Sequence, residues 1–99
     1  MKIYISGSIT GNPDYKKQFS DAATKLRNAG HQVLDPTVWD REGLKLEYEE
    51  YMRIDLAMLD VADAIFMLPG WQNSKGGRIE YWRAKRKGKV VLTDYKNQE

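Results

Sequence analysis

The stretch A-I-F-M-L-P-G-W-Q-N-S-K-G-G-R-I-E-Y-W, residues 64–82, is typical of a strand, a loop and a helix in succession. Its first five residues form a short apolar run of the kind found in buried parallel strands, and a Pro-Gly pair ends that run. Asn73 or Ser74 can cap the following helix. Glu80 then lies near the helix start, where free backbone N–H groups and the helix dipole favour an ionised carboxylate. Ligands bind at the carboxyl ends of strands in open α/β sheets, so Glu80 is the first candidate for a reactive group.

The rest of the chain repeats this alternation of strand and helix. Apolar runs predict three further strands, over residues 2–6, 31–34 and 90–93. Apolar residues at helical spacing predict one helix that follows an Asn12 cap and ends at Gly30, and another that begins at Tyr48. Between the second strand and that helix, residues 37–47 show no clear period and are interpreted as a loop across the top of the sheet.

Four alternating units predict one α/β domain over residues 1–99. We expect a small flavodoxin-like or Rossmann-like three-layer sandwich, with a four-stranded parallel sheet in the order 2-1-3-4 and right-handed crossovers. In that order strands 1 and 3 are neighbours. The loops that follow them, residues 7–11 and 69–77, then share one crevice.

The composition excludes several classes of chemistry. Sixteen Lys and Arg residues against 14 Asp and Glu give a net charge of +2, so charge alone does not suggest a polymeric nucleic acid partner. There is no cysteine and only one histidine, and therefore no metal site is expected. No apolar run approaches the length of a membrane span, and a strand-like segment begins the sequence, so we expect a cytoplasmic protein.

The turn G-S-I-T-G at residues 7–11 precedes a helix. Its backbone N–H groups and the hydroxyls of Ser8 and Thr10 can form an anion site, although glycines at such a position often serve only the turn. The turn matches neither the Walker A pattern nor the dinucleotide fingerprint, so neither a nucleoside triphosphate nor NAD is favoured.

Two carboxylates are candidates for catalysis. Glu80 can instead be a solvated helix residue that pairs with a neighbouring arginine, while Asp55 lies on the apolar stripe of its helix and therefore needs a partner or a proton. If both face one crevice, they can act on a sugar as nucleophile and general acid. A separation of about 5 Å favours retention of configuration through a covalent intermediate, and a wider gap favours inversion.

Three other features each have two interpretations. Tyr4 on the first strand is either a core aromatic or part of the site. Trp71 can stack on a base or can shield the edge of the core. The basic run at residues 83–89 can contact phosphates or can form a solvated helix end.

Three segments together resemble the nucleoside 2-deoxyribosyltransferase-like superfamily: Y-I-S-G-S-I-T-G at 4–11, Y-M-R-I-D-L at 51–56, and L-P-G-W-Q-N-S-K-G-G-R-I-E-Y at 68–81. Within it, the chain looks closest to short uncharacterised phage and bacterial proteins, and among enzymes to the 2′-deoxynucleoside 5′-monophosphate N-glycosidases. The resemblance implies that Glu80 is the nucleophile, that Asp55 assists departure of the base, and that Tyr4 lies beside the nucleophile. It also implies that the loops holding a 5′-phosphate contain Gly7, Ser8, Ile9, Gly11, Ser74 and Gly76. Thr10 stands where the monophosphate glycosidases carry an arginine, so a phosphate clamp would be weaker here unless Arg78 supplies it.

The sequence therefore predicts N-glycosidic bond cleavage of a nucleoside or nucleoside 5′-monophosphate, by hydrolysis or by deoxyribosyl transfer and without a cofactor. The alternatives are a nucleotide-binding module without turnover and an interaction domain on the same scaffold. A homodimer is expected by analogy with the relatives.

Overall fold

A computed structural model describes residues 1–41 and 43–93. The strands are β1 (Lys2–Ser6), β2 (Gln32–Leu34), β3 (Ala64–Met67) and β4 (Val90–Thr93), and the helices are α1 (Tyr15–Asn28), α2 (Val38–Arg41), α3 (Tyr48–Val61) and α4 (Lys75–Arg86). A single 3₁₀ turn, Trp71–Asn73, precedes α4. No helix within these residues is long and apolar enough to cross a membrane.

The four strands form one parallel sheet in the order β2-β1-β3-β4, which confirms the predicted fold class and strand order. β1 and β3 are the two central strands, and Ser6 lies opposite Met67 at their carboxyl ends. Since both strands are paired on each side, their side chains are buried on both faces of the sheet. The crevice between the loops after β1 and β3 therefore lies at the centre of the sheet edge.

Two apolar clusters cover the two faces of the sheet. Ile3 and Ile5 of β1 pack with Phe19 and Leu26 of α1 in one cluster. Tyr4 of β1 packs in the other, with Leu59 at the end of α3 and with Ala84 of α4. The alternation along β1 thus directs Tyr4 and Ser6 towards the layer that contains α3 and α4.

The start of α1 differs from the prediction. The helix begins at Tyr15 after an Asp14 cap residue that makes no side-chain cap hydrogen bond, whereas Asn12 had been predicted as the cap. The Asn12 side chain accepts a hydrogen bond from the Asp14 N–H at 3.1 Å and donates to Ser8 O at 2.9 Å. Asn12 therefore stabilises the turn before the helix, a role that asparagine commonly takes.

The interpretation of residues 37–47 as a loop was wrong in part, because α2 lies within them. Asp35 Oδ1 accepts hydrogen bonds from the N–H of Thr37 at 2.9 Å and from its hydroxyl at 2.7 Å. This aspartate, followed by Pro36, begins a helical turn in the way that capping residues do.

Candidate active site

A cavity of about 560 Å³ opens at the carboxyl ends of β1 and β3, within the size range of small-molecule sites. Four segments line it: the end of β1 with the turn after it, the connection from β2 into α2, the first half of α3, and the start of α4. The cavity contains Glu80, Asp55 and Tyr4, the three residues predicted to be catalytic. It also contains six of the predicted binding residues: Gly7, Ser8, Ile9, Thr10, Ser74 and Gly76.

Glu80 reaches this cavity from α4, whose first turn is fixed by Ser74. The Ser74 hydroxyl accepts a hydrogen bond from the Gly77 N–H at 3.0 Å, so Ser74, one of the two caps that the sequence allows, is the cap of α4. A Cβ on Gly77 would lie 3.0 Å from Trp71 O, so a glycine lets the helix begin tightly against the preceding 3₁₀ turn. The inner side of α4 then presents Glu80 to β1.

The carboxylate of Glu80 is held by β1. The Tyr4 hydroxyl donates to Oε2 at 2.8 Å and the Ser6 hydroxyl donates to Oε1 at 2.5 Å, which fixes both carboxylate oxygens. Glu80 is only 5% exposed, so the alternative interpretation as a solvated helix residue was wrong. A buried carboxylate oriented by two donors is the usual arrangement of a preorganised reactive group.

The predicted cause of Glu80 ionisation was also wrong. Burial raises the pKa of Glu80 to about 7, against the lowering effect of the hydrogen bonds from Ser6 and Tyr4. The negative charge of Asp55 raises it further. Glu80 is the sixth residue of α4 and lies beyond the free N–H groups of the first turn. Desolvation therefore outweighs the helix dipole at this position.

Asp55 enters the cavity from α3 without a partner. Its Oδ1 atom is buried and makes no hydrogen bond with any described residue, so the partner that the sequence analysis considered for Asp55 is not observed there. Burial alone raises the pKa of Asp55 to about 7. An unpaired buried carboxyl that titrates near neutrality is characteristic of functional sites.

The two carboxyl groups interact, since the charge of Asp55 raises the pKa of Glu80. Near pH 7 such a pair shares about one proton. Hydrogen bonds from Tyr4 and Ser6 stabilise the ionised form of Glu80, while no described donor does so for Asp55 Oδ1. The singly protonated pair consequently carries its charge on Glu80 and its proton on Asp55.

Tyr4 serves this pair as a permanent donor. Burial raises the pKa of Tyr4 well above its ordinary value, and the neighbouring charges of Glu80 and Asp55 raise it further. The phenol is thus protonated at neutral pH. Tyr4 is both a fully buried residue of the core and a hydrogen-bond partner of Glu80, so its two interpretations hold together.

Unpaired backbone N–H groups occur in two of the segments that line the cavity. Within the described part of the chain, the N–H groups of Ser8, Ile9 and Thr10 make no hydrogen bond, and neither do those of Lys75 and Gly76 at the start of α4. The Lys75 and Gly76 groups belong to a helix N-terminus, which carries partial positive charge. These two segments offer several backbone donors to an acceptor group on a ligand, and Lys75 adds a cationic side chain to the cavity lining.

Three residues of the sequence hypothesis lie outside the cavity lining. Trp71 stacks on Tyr81, with ring centroids 4.5 Å apart, and packs against the core cluster of α3 and α4. Its indole therefore shields the core, and stacking on a base is not supported. Gly11 has a φ of +75° in the exposed turn before α1, and Arg78 donates to Gln72 O at 2.7 Å.

The sequence analysis missed the α3 wall of the cavity. Tyr48, Tyr51 and Met52 line it beside Asp55, whereas Leu59 is the residue of α3 that is fully buried in the core. The sequence analysis treated this side of the helix as one apolar stripe. Its first half differs by carrying two phenol hydroxyls and a carboxylate, and this polar content was the available signal that the half faces a site.

The segment that the sequence analysis placed across the top of the sheet also lines the cavity. Thr37 and Asp40 line the cavity, and the Tyr15 hydroxyl of α1 donates to Asp40 Oδ2 at 2.7 Å. Across residues 1–41 and 43–93, no group of three or more metal-binding side chains lies together.

Comparison with known families gives one match. A family model described as "Domain of unknown function (DUF4406)" covers residues 1–93. No curated protein matches the chain.

Proposed function

The chain belongs to the DUF4406 family, and we propose that it cleaves the N-glycosidic bond of a nucleoside or nucleoside 5′-monophosphate. The observation that carries this proposal is the pair of carboxyl groups in one cavity. Glu80 is buried and oriented by Tyr4 and Ser6, and Asp55 is buried at Oδ1 without a partner. The two groups differ in hydrogen bonding, which separates their roles as it does in glycosidases.

Glu80 acts as the nucleophile. In the singly protonated pair it holds the charge, and the donors at 2.8 Å and 2.5 Å keep its oxygens in one orientation. An ionised carboxylate beneath the sugar also stabilises the positive charge that develops at C1′ as the C–N bond breaks. Burial raises the pKa of Glu80 to about 7, and the low polarity of its surroundings strengthens this electrostatic effect.

Asp55 acts as the general acid. Its pKa of about 7 lies near the pH at which the protein operates in a neutral medium, which is the optimum for proton transfer. Because Oδ1 has no protein partner, the carboxyl group is available to a leaving base or to a sugar hydroxyl. Proton donation of this kind contributes roughly 10² to 10⁴-fold to the rate.

The reaction has two steps. An oxygen of Glu80 bonds to C1′ while the C1′–N bond breaks, and the departing base takes the bond electrons and the proton of Asp55. In the second step, the oxygen of a water molecule attacks C1′ while Asp55 accepts a proton from that water. The bond between C1′ and Glu80 breaks, which releases the sugar and regenerates Glu80. If a nitrogen of a second base attacks instead, the product is a new nucleoside.

The cavity also accommodates the rest of such a substrate. The turn with the unpaired backbone N–H groups of Ser8, Ile9 and Thr10 lines the cavity together with the start of α4, and these donors can bind a 5′-hydroxyl or a 5′-phosphate. Tyr48 and Tyr51 provide aromatic wall for a base. A Cβ on Gly76 would lie 3.3 Å from Met52 Sδ and 3.6 Å from the Tyr48 hydroxyl, so the glycine keeps room between α4 and α3.

Base release tests the proposal. The protein is incubated with a panel of deoxynucleosides, ribonucleosides and their 5′-monophosphates, with and without a second free base, and products are separated by liquid chromatography. We expect free base or an exchanged nucleoside from at least one substrate. Glu80→Gln should lower the rate by roughly 10³-fold or more, because the nucleophile is lost. Glu49→Gln, a matched change at an exposed position on α3, should leave it unchanged.

Intact-mass analysis after rapid acid quenching locates the intermediate. A mass increase equal to one sugar on the wild type, absent from Glu80→Gln, supports the covalent step. Release of base that survives Glu80→Gln contradicts the role of Glu80. Ligand-dependent thermal stabilisation without product from any substrate would instead identify a nucleotide-binding module.

A further inference from the structure

The outer face of α4 carries a cationic stripe, which consists of Lys75, Arg78, Ile79, Trp82, Lys85 and Arg86. All six residues are exposed, and at 100° per residue their side chains fall within about one third of the helix circumference. The opposite side of α4 contains its buried residues, Gly77, Glu80 and Ala84. The stripe is therefore the solvent face of the helix along its whole length, about 18 Å.

The stripe has no acidic residue. Glu80 is the only carboxylate of α4, and it is directed into the cavity on the other side. Four positive charges thus lie together on one face of a chain whose net charge is only +2. Net charge is a sum over the whole sequence, so it does not show that positive charges are clustered on one face. Such clustering is the electrostatic feature of polyanion-binding surfaces.

These cations are largely unneutralised within the described chain. The side chains of Lys85 and Arg86 form no hydrogen bond or ion pair with a described residue. Arg83 and Lys87 lie on another side of the helix and differ from them, since both contact the carboxylate of Asp60, Arg83 at 2.7 Å and Lys87 at 3.5 Å. The basic end of α4 therefore divides into a paired side and a free side.

An aromatic ring lies among the free cations. Trp82 is 56% exposed, with Arg78 one turn before it and Lys85 and Arg86 one turn after it. Tyr81 contacts its ring edge to face, with centroids 5.1 Å apart, which restricts the orientation of the indole. An exposed, oriented indole between cations is the arrangement on which single-stranded nucleic acids stack their bases and place their phosphates.

We propose that the cationic stripe binds single-stranded nucleic acid, with a base stacked on Trp82 and phosphates on Lys85, Arg86 and Arg78. An anionic membrane fits less well, because Ile79 and Trp82 alone form too small an apolar face for insertion. An acidic protein segment would use the cations but would leave the indole without a planar partner. This binding is independent of the glycosidic chemistry proposed for the cavity, because none of these three cations lines it.

Fluorescence anisotropy with a labelled 15-nucleotide oligothymidylate tests the proposal over a series of salt concentrations. Lys85→Ala with Arg86→Ala should weaken binding at least tenfold at low salt, and should reduce the slope of log K against log salt by about 1.4, or about 0.7 for each lost phosphate contact. Trp82→Ala should weaken binding about tenfold with an unchanged slope, because stacking releases no counterions, and Trp82→Phe should restore part of it.

The matched control is Lys16→Ala with Arg27→Ala, which removes two exposed cations from α1. Equal weakening by this control would overturn the proposal, because binding would then follow net charge and not the stripe. Absence of binding at low salt would overturn it as well. Binding of phosphatidylserine vesicles or polyglutamate that is as sensitive to Trp82→Ala as oligonucleotide binding would assign the stripe to a membrane or to an acidic protein instead. Melting curves confirm that each exposed variant is folded, and base release from free nucleosides should be unchanged in all of them.

Discussion

Helix α3 carries two aspartates in opposite situations. Asp55 lies in the half that lines the cavity and has a pKa of about 7, raised by burial without a partner. Asp60 lies in the last turn, where Arg83 donates two hydrogen bonds to it at 2.8 Å and 2.7 Å and lowers its pKa to about 2. The same side chain on the same helix is thus unfavourable to folding at one end and favourable at the other.

The comparison separates stability from function along one helix. A carboxylate with a raised pKa makes the folded state less stable wherever it is ionised, and such groups persist where chemistry needs them. A carboxylate that accepts a bidentate pair of hydrogen bonds from an arginine stabilises the fold instead. We infer that the first half of α3 serves the site and that the second half fastens the helix to α4 and the sheet.

The largest expected effect is on activity. Asp55→Asn should lower the rate of base release by roughly 10² to 10⁴-fold, because an amide cannot donate the proton of a carboxylic acid. Asp60→Asn makes the same chemical change on the same helix and should alter the rate less than about twofold, because it touches neither substrate nor reacting atoms. Steady-state rates of the two variants at pH 7 measure this difference. Equal losses of activity in the two variants would contradict a specific role of Asp55 in the reaction.

The pH profile of activity is the next test. Activity requires one proton on the Asp55–Glu80 pair, and both groups have a pKa of about 7. Base release should therefore reach a maximum near pH 7 and fall on both sides, as the pair becomes doubly protonated below and doubly ionised above. Values of kcat/KM measured between pH 5 and pH 9 give the profile. A rate that rises to a plateau above pH 8 would show that Asp55 does not act as an acid.

Asp55→Asn should also make the protein more stable at high pH. The folded pKa of about 7 exceeds the unfolded value of 3.8, so the ionised group destabilises the fold increasingly as pH rises from about 4 to 7, and fully above that. With allowance for partial exposure of the side chain, the gain at pH 8 should be ~1–2 kcal/mol, and it should vanish near pH 4. Urea unfolding at pH 4 and pH 8 measures it. A variant less stable than wild type at pH 8 would mean that Asp55 has a partner in the folded state.

Asp60→Asn should have the opposite sign. Its folded pKa of about 2 lies below the unfolded value of 3.8, so its contribution to stability is present above pH 4 and is lost as pH falls towards 2. With both side chains of the pair 30% exposed, the loss at pH 7 should be ~1 kcal/mol. Unfolding experiments at pH 7 and pH 2.5 measure the two limits. An unchanged stability at pH 7 would indicate that the arginine contact is of no energetic consequence.

The smallest effect concerns Lys87. Its ammonium lies 3.5 Å from Asp60 Oδ1 and its side chain is 47% exposed, so the pair is weak and well screened. Lys87→Ala should change the free energy of unfolding by less than about 0.5 kcal/mol. The same unfolding experiment at low and high salt checks this, and a loss as large as that of Asp60→Asn would show that Lys87, not Arg83, holds the carboxylate.

The sequence was sufficient for the architecture because local patterns encode it. Apolar runs located the four strands to within one residue at their ends, and the Ser74 hydroxyl and Gly30 bounded helices as expected. The alternation of units then implied the parallel sheet and the order 2-1-3-4. Local sequence patterns gave wrong helix boundaries where one residue has two roles. Asp35 both follows β2 and begins α2, and Asn12 folds back on its own turn.

The candidate site divides in the same way. Periodicity and topology predicted which types of residue the site contains. They also predicted the edge of the sheet at which Glu80, Asp55 and the glycine turn meet. The hydrogen bonding of the Glu80 carboxylate could not be predicted from the sequence, because it depends on hydroxyl groups that lie 76 and 74 residues earlier in the chain. Position within α4 predicted an ionised carboxylate near a helix start, whereas burial against β1 governs the observed pKa.

By itself the sequence determined the α/β alternation, the strand order and the set of polar residues available at one sheet edge, since each depends on spacing along the chain. Only the tertiary structure decided that Asp55 Oδ1 is buried without a partner, that Trp71 packs against Tyr81, and that four cations of α4 face outward while its carboxylate faces inward. The physical reason is that burial, pairing and local charge density are properties of groups brought together across long separations. No window of sequence contains them.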